Sequence, residues 1–308
     1  MTISNTKKTR HNDKKHEAVQ MSDKVFKLGD EFQVRGERMS QCAETLWMEY
    51  CEECGHTYFK HVNYCKDRLC PLCNWLKGKF IFYQLRDTLN SHQNEYKYFH
   101  LMLTVRDCEI EDLNVTINLM SEAWKKLQSR SKFKKSVSGW FKTTELKIKD
   151  GGMIHPHIHV LLEIPYDCYG RYITKEEFAE MWDRSLKSNY SPYVILKSVN
   201  YNDTDSIARL ANYISQGEPI EKLTNDKLSE YANAVSGKRL YSSSGTLKIA
   251  TSRKKKSKES DSKHNHDGIC PDCEVPLVLV RKDWNEQKLG YDESIIYKGS
   301  RKDWEENK

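Results

Sequence analysis

The sequence predicts an α+β fold of the ferredoxin-like, split βαβ type: an antiparallel sheet laid down as β-α-β-β-α-β. Three observations carry that expectation. Strand and helix patterns alternate in this order between residues 96 and 216. The third strand, "MIHPHIHVLLEI", carries His155, His157 and His159 at every second position before turning apolar, and it is central in this topology. Ahead of it lies a cysteine-rich stretch with C-x-x-C pairs, which reads as a small zinc-knuckle region.

The elements follow in order. "KGKFIFYQLRDTLN" (77–90) reads as a helix leading into the sheet, and "YKYFHLMLTV" (96–105) as its first strand. In "DLNVTINLMSEAWKKLQ" (112–128), Leu113, Ile117, Met120, Trp124 and Leu127 share one helical face. "GWFKTTELKI" (139–148) is a strand, Asp150-Gly151-Gly152 a hairpin turn, and residues 153–164 the returning strand. Pro156 has no amide donor, so the returning strand begins there or lies unpaired at that point. "TKEEFAEMWDRSLK" (174–187) is a helix opened by Thr174, "PYVILKSV" (192–199) a strand, and "DSIARLANYISQ" (205–216) a helix closed by Gly217.

The predicted organisation is a disordered basic tail (1–24), a cysteine-rich zinc-binding region (40–90) and a catalytic domain (95–217) with a C-terminal part (218–250). Residues 251–308 read as a basic linker and tail. The 308 residues carry a net charge of +6, with basic residues clustered in "KKTRHNDKK", "SRSKFKKS" and "SRKKKSKESDSK". Such runs suit a polyanion partner, with nucleic acid the natural candidate. No apolar run approaches a membrane span and no signal peptide is evident, so a cytoplasmic protein is expected. In that reducing setting the ten cysteines point to zinc rather than disulfides.

His157 and His159 flank Ile158, and Glu145 lies on the strand joined to theirs by the hairpin. Antiparallel pairing can set a carboxylate beside imidazoles. Two histidines and one carboxylate leave positions open on a divalent ion, as a catalytic site requires, and a labile ion such as Mn²⁺ or Mg²⁺ suits reversible phosphate contact. On the helix 205–216, Ile207, Leu210, Ala211 and Ile214 form the buried stripe, while Arg209, Tyr213 and Gln216 share the neighbouring polar face. A tyrosine there packs at a core edge or, following a sheet that bears the histidine pair, serves as a nucleophile.

The sequence resembles the replication initiators of small rolling-circle bacterial plasmids, within the His-hydrophobe-His (HUH) endonuclease superfamily. The matching pieces are "FHLMLTV" (99–105), "HPHIHVLL" (155–162), the Tyr213 helix and "CKDRLCPLC" (65–73), spread over about residues 50–250 in the family order. The resemblance implies a metal-dependent nickase and strand transferase acting on single-stranded DNA at a plasmid origin. Tyr213 would form a 5′-phosphotyrosine and release a 3′-hydroxyl primer for host helicase and polymerase, and later rejoin the strand. A homodimer is compatible with this reading. Two positions depart from the family. Gln216 stands where relatives often have Lys, and Arg209 where some carry a water-activating Glu, which leaves termination open. A non-catalytic zinc-dependent DNA-binding protein is the rival reading, and a transposase or relaxase of the same superfamily is a third.

Cys51-x-x-Cys54 and Cys70-x-x-Cys73 are separated by fifteen residues, a spacing suited to one zinc held by four thiolates. Cys65 belongs to the family's C-x-x-R-x-C-P-x-C pattern, and Cys42, His56 and His61 are near enough to compete as ligands. The expected role is a structural knuckle presenting Arg68 to DNA. Cys270-x-x-Cys273, preceded by His264 and His266, is a weaker candidate for a second zinc, and Cys108 and Cys168 read as ordinary interior residues.

Overall fold

The structure is a computed structural model that describes residues 10–92, 95–167, 172–200, 220, 223–249 and 268–298. In chain order the described elements begin with α1 (Arg10–Phe26), α2 (Gln33–Ser40), β1 (Thr45–Tyr50), β2 (Thr57–Val62), α3 (Pro71–Ser91) and β3 (Tyr96–Thr104). Next come α4 (Leu113–Ser129), α5 (Ser131–Ser136), β4 (Gly139–Ile148), β5 (Ile154–Pro165), α6 (Lys175–Leu186) and β6 (Val194–Val199). The last are α7 (Asn225–Val235), β7 (Tyr241–Gly245), β8 (Val278–Asn285) and β9 (Gly290–Lys298). Among the described residues the fold is mixed α+β with two antiparallel sheets. Among the described residues no helix is long and apolar enough to cross a membrane.

Two compact units divide the chain, Asn74–Ile249 and Met1–Cys73 with Ala250–Lys308. The first contains a five-stranded sheet in the order β6-β3-β5-β4-β7. β5 therefore pairs on both sides, with β3 and with β4. Its alternating side chains face two different cores. Ile158, Val160 and Leu162 join Leu101, Leu103 and Trp140 against Trp124, Phe178 and Trp182 from α4 and α6. On the opposite face Leu161 packs with Tyr98 and Phe141 against Ile81, Leu85 and Leu89, one stripe of α3. His157 and His159 share that second face with Leu161.

Local chemistry explains the element ends. Thr174 caps α6 with a capping box: its hydroxyl accepts from the Glu177 amide, and the Glu177 carboxylate accepts from the Thr174 amide. Gly151 and Gly152 take φ of 79° and 87°, so the β4–β5 turn requires glycine at both positions. Contrary to the expectation that the strand begins or is unpaired at Pro156, β5 begins at Ile154 and Pro156 pairs with Leu146 on β4. On its other side the β3 ladder starts only at the Thr104–His157 pair, so the missing donor leaves no gap there.

The other unit corrects two expectations. Residues 10–26 form helix α1 where the sequence reads as a disordered tail. Its overall polarity conceals a stripe of Ala18, Met21, Ser22 and Val25, all buried. Lys15 is also buried, and its ammonium donates to the Ser40 carbonyl at 2.8 Å. The C-terminal segment is likewise more than a tail. β8 and β9 complete a four-stranded sheet ordered β2-β1-β8-β9, in which Tyr50 pairs with Val278. α7 and β7 also go beyond the sequence reading, which left 218–250 without assigned elements.

Candidate active site and cysteine clusters

The hairpin between β4 and β5 sets the register Glu145 opposite His157 and Thr143 opposite His159. Directly opposed residues share a face, so one carboxylate reaches both rings. Glu145 Oε2 lies 2.5 Å from His157 Nε2 and 2.8 Å from His159 Nε2. Both rings are buried, at 6% and 3% exposure. Burial opposes ionisation of Glu145, but hydrogen bonds and charge from the two histidines outweigh it and hold its pKa down to about 2. Burial also pushes His159 below the ordinary imidazole range, against the raising influence of Glu145. A ring kept neutral retains a lone pair for a metal.

The donor set fits a divalent ion. Two imidazole nitrogens and a carboxylate oxygen lie within 4.8 Å of one another. His157 Nδ1, the ring nitrogen turned away from Glu145, is buried with no hydrogen-bond partner among the described residues.

Two neighbours escaped the sequence reading. His100, on β3, places Nε2 at 3.0 Å from His159 Nδ1, and the two rings stack. Its signal was present in "FHLMLTV": His100 pairs with Leu161, on the face His159 also occupies. Asp107, in the segment after β3, accepts from Lys149 Nζ at 2.6 Å and forms a short hydrogen bond with His155 Nδ1. The result is a row of four imidazoles in the order 155, 157, 159 and 100, with ring centroids 4.8, 5.1 and 5.2 Å apart. Tyr213, Arg209 and Gln216 lie outside the described residues.

Eight of the nine described cysteines converge as two sets of four, a grouping that differs from the one their spacing suggests. Cys70 and Cys73 gather with Cys65 and Cys42, not with Cys51 and Cys54. Cys51 and Cys54 gather instead with Cys270 and Cys273. The physical reason is that β8 pairs with β1, which brings the C-terminal C-x-x-C to the end of β1. In the first set Sγ–Sγ separations are 3.5 Å for Cys42–Cys73, 3.6 Å for Cys65–Cys73 and 3.8 Å for Cys42–Cys70. Backbone amides of Cys65, Lys66 and Asp67 donate to the sulfurs of Cys42, Cys73 and Cys65. Arg35 clamps Asp67 through two bonds of 2.6 and 2.9 Å and so braces the loop carrying Arg68. His61 lies exposed on β2 and joins neither set; Cys108 is half-buried and also stands apart.

A family profile described as Rep_1, replication protein, matches residues 56–291. The chain belongs to this replication protein family. The match runs from the His56 turn into β9, so it takes in the histidine strand and the C-terminal cysteines. Relatives within the family agree. A "Protein rep" of Bacillus amyloliquefaciens is 34% identical over 54% of this chain and 50% of its own length. One of Streptococcus pneumoniae serotype 2 is 32% identical over 56% and 58% respectively. One of Lentilactobacillus hilgardii is 28% identical over 82% of this chain and 86% of its own length. The chain thus spans between half and three fifths of the first two relatives. No solved structure matches it. The family membership agrees with the resemblance drawn from the motifs.

Proposed function

We propose that this Rep family chain initiates rolling-circle replication of a plasmid by nicking one DNA strand at the origin. The observation that carries the reading is the convergence of His157 and His159 on Glu145 at the middle of the sheet. Counted from β3, the first four strands lie in the order 4-1-3-2, which supports a split βαβ architecture. His157, His159 and Glu145 would hold Mn²⁺ or Mg²⁺, which when bound supplies Lewis-acid polarisation of the scissile phosphate.

The chain's own residues then divide the work. The Tyr213 hydroxyl oxygen attacks phosphorus and loses its proton, the P–O3′ bond breaks, and the departing 3′ oxygen takes up a proton. The products are a 5′-phosphotyrosine and a 3′-hydroxyl, and the reverse reaction rejoins the strand without a nucleotide cofactor. Arg209, four positions before Tyr213 in the sequence, would offset negative charge at the attacked phosphate, and Gln216, three positions after Tyr213, would assist it. A zinc ion in the Cys42, Cys65, Cys70 and Cys73 set would be structural, because four thiolates leave no open position. That knuckle presents Arg68 to DNA. Host polymerase and helicase would extend and open the nicked template.

The test is incubation of the full chain with a labelled origin oligonucleotide and Mn²⁺ or Mg²⁺, followed by a denaturing gel. A covalent protein–DNA adduct that Tyr213→Phe abolishes, while origin binding persists, is expected. Adduct formation by the Tyr213→Phe protein would move the nucleophile elsewhere. Absence of any adduct, with zinc and DNA binding intact, would favour the non-catalytic reading.

A further inference from the structure

We propose that Cys51, Cys54, Cys270 and Cys273 form a second, independent zinc site of zinc-ribbon type, which fastens the C-terminal segment to the N-terminal strands. The two C-x-x-C turns are built alike. The Cys51 amide donates to the His56 carbonyl at 2.9 Å, and the Gly55 amide to the Cys51 carbonyl at 3.0 Å. The Cys270 amide donates to the Val275 carbonyl at 2.8 Å, and the Glu274 amide to the Cys270 carbonyl at 2.9 Å. The residue after the second cysteine takes positive φ in both turns, 72° at Gly55 and 56° at Glu274. Glycine makes that conformation easy in the first turn, whereas Glu274 adopts it against its Cβ.

Each turn also closes an antiparallel pair. Tyr50 and Thr57 flank the first as the last pair of β1 and β2. Ile269 and Pro276 bridge across the second, just before β8. Two like knuckles at the ends of paired strands thus present four sulfurs to one point. Cys54 and Cys270 stand 3.6 Å apart, Sγ to Sγ. A tetrahedron of thiolates with Zn–S bonds of about 2.3 Å has edges of about 3.8 Å. Cys51 and Cys270 are fully buried beside Leu277, with Tyr58 and Val275 packed against them. Four thiolates complete the coordination of zinc, so no histidine is required. His56 is exposed and engaged by Asp272 Oδ2 at 2.8 Å. The site has a structural consequence that the first set lacks. Cys54 and Cys270 are 216 positions apart, and the chain between them includes all of the Asn74–Ile249 unit. A metal here joins the two ends of the fold, whereas the first set lies wholly before that unit.

The experiment is the zinc content of the purified full chain by mass spectrometry, with thiol labelling mapped by peptide. Cys270→Ser/Cys273→Ser is expected to carry one zinc fewer per chain than the parent. A folded double variant with unchanged zinc content would overturn the proposal. Labelling of the parent protein guards against a variant that fails to fold. Cys54 is exposed, so an alkylating reagent should modify it within minutes if it is unligated. The proposal expects Cys54 to be protected together with Cys51, Cys270 and Cys273, and all four to react once zinc is chelated. Rapid labelling of Cys54 in the zinc-replete protein would sink the site. Neither readout depends on DNA cleavage.

Discussion

His100 Nε2 lies 3.0 Å from His159 Nδ1, and the two rings stack with centroids 5.2 Å apart and planes inclined by 16°. One nitrogen of His159 is thereby engaged by a neighbour on β3, while Nε2 is left facing Glu145. Partners of this kind fix the tautomer and orientation of a metal-binding imidazole. His100→Phe preserves a stacked ring and removes the hydrogen bond. The expected outcome is metal binding weakened about tenfold, with nicking restored toward the parent rate at saturating metal. An unchanged metal titration would mean that the His100 contact does not position His159 for binding.

Glu145 is the hinge of the candidate centre, because a single oxygen meets both histidines. Glu145→Gln keeps the size of the side chain and removes its charge. Nicking should fall by at least about 100-fold at fixed metal concentration, since the site loses its anionic ligand. Origin binding, read by mobility shift, should be retained. Loss of both activities together would point to a folding defect rather than to ligation.

Cys70 is fully buried and stands 3.8 Å from Cys42, Sγ to Sγ. Cys70→Ser removes a thiolate from the first set and leaves a hydroxyl unable to replace it as a zinc ligand. We expect zinc loss together with aggregation, measured as metal content and soluble yield. Soluble, folded Cys70→Ser protein with its zinc complement intact would remove this cysteine from the structural set.

The histidine centre was legible because its geometry is local. Alternation on β5 sets His157 and His159 on one face, and a short glycine turn fixes Glu145 opposite His157. The cysteine grouping was not legible for the converse reason. Cys51 and Cys54 had a partner pair fifteen residues away in sequence and another more than two hundred away. Only the pairing of β8 with β1 selects the distant one. Helix α1 was hidden in a different way. Polar residues dominate Arg10–Phe26, so its narrow stripe of Ala18, Met21 and Val25 is outweighed in composition although it is what the fold buries.

Lys142 yields a prediction that separates stability from catalysis. It lies on β4 opposite Val160, is 3% exposed, and donates to Thr144 Oγ1 at 3.3 Å. Burial, with Arg239 adding repulsion, lowers its pKa from 10.5 to about 8. Between those values the unfolded chain binds more protons at this residue than the folded one, so its contribution to stability rises with pH across the window. Below about pH 8 the full cost of holding the ammonium in the interior is present, on the order of 3 kcal/mol. Above the unfolded value that cost disappears. Lys142→Met, an unbranched apolar replacement, should therefore be more stable than the parent at pH 7 by up to about 3 kcal/mol. The advantage should shrink steadily as pH rises from 8 to 10.5. The measurement is denaturant unfolding of both proteins at several pH values, comparing the difference between them so that other titrating groups cancel. A difference independent of pH would mean that Lys142 does not change its protonation on folding. A variant less stable than the parent at pH 7 would show that the Thr144 hydrogen bond and local packing outweigh the cost of burying the charge.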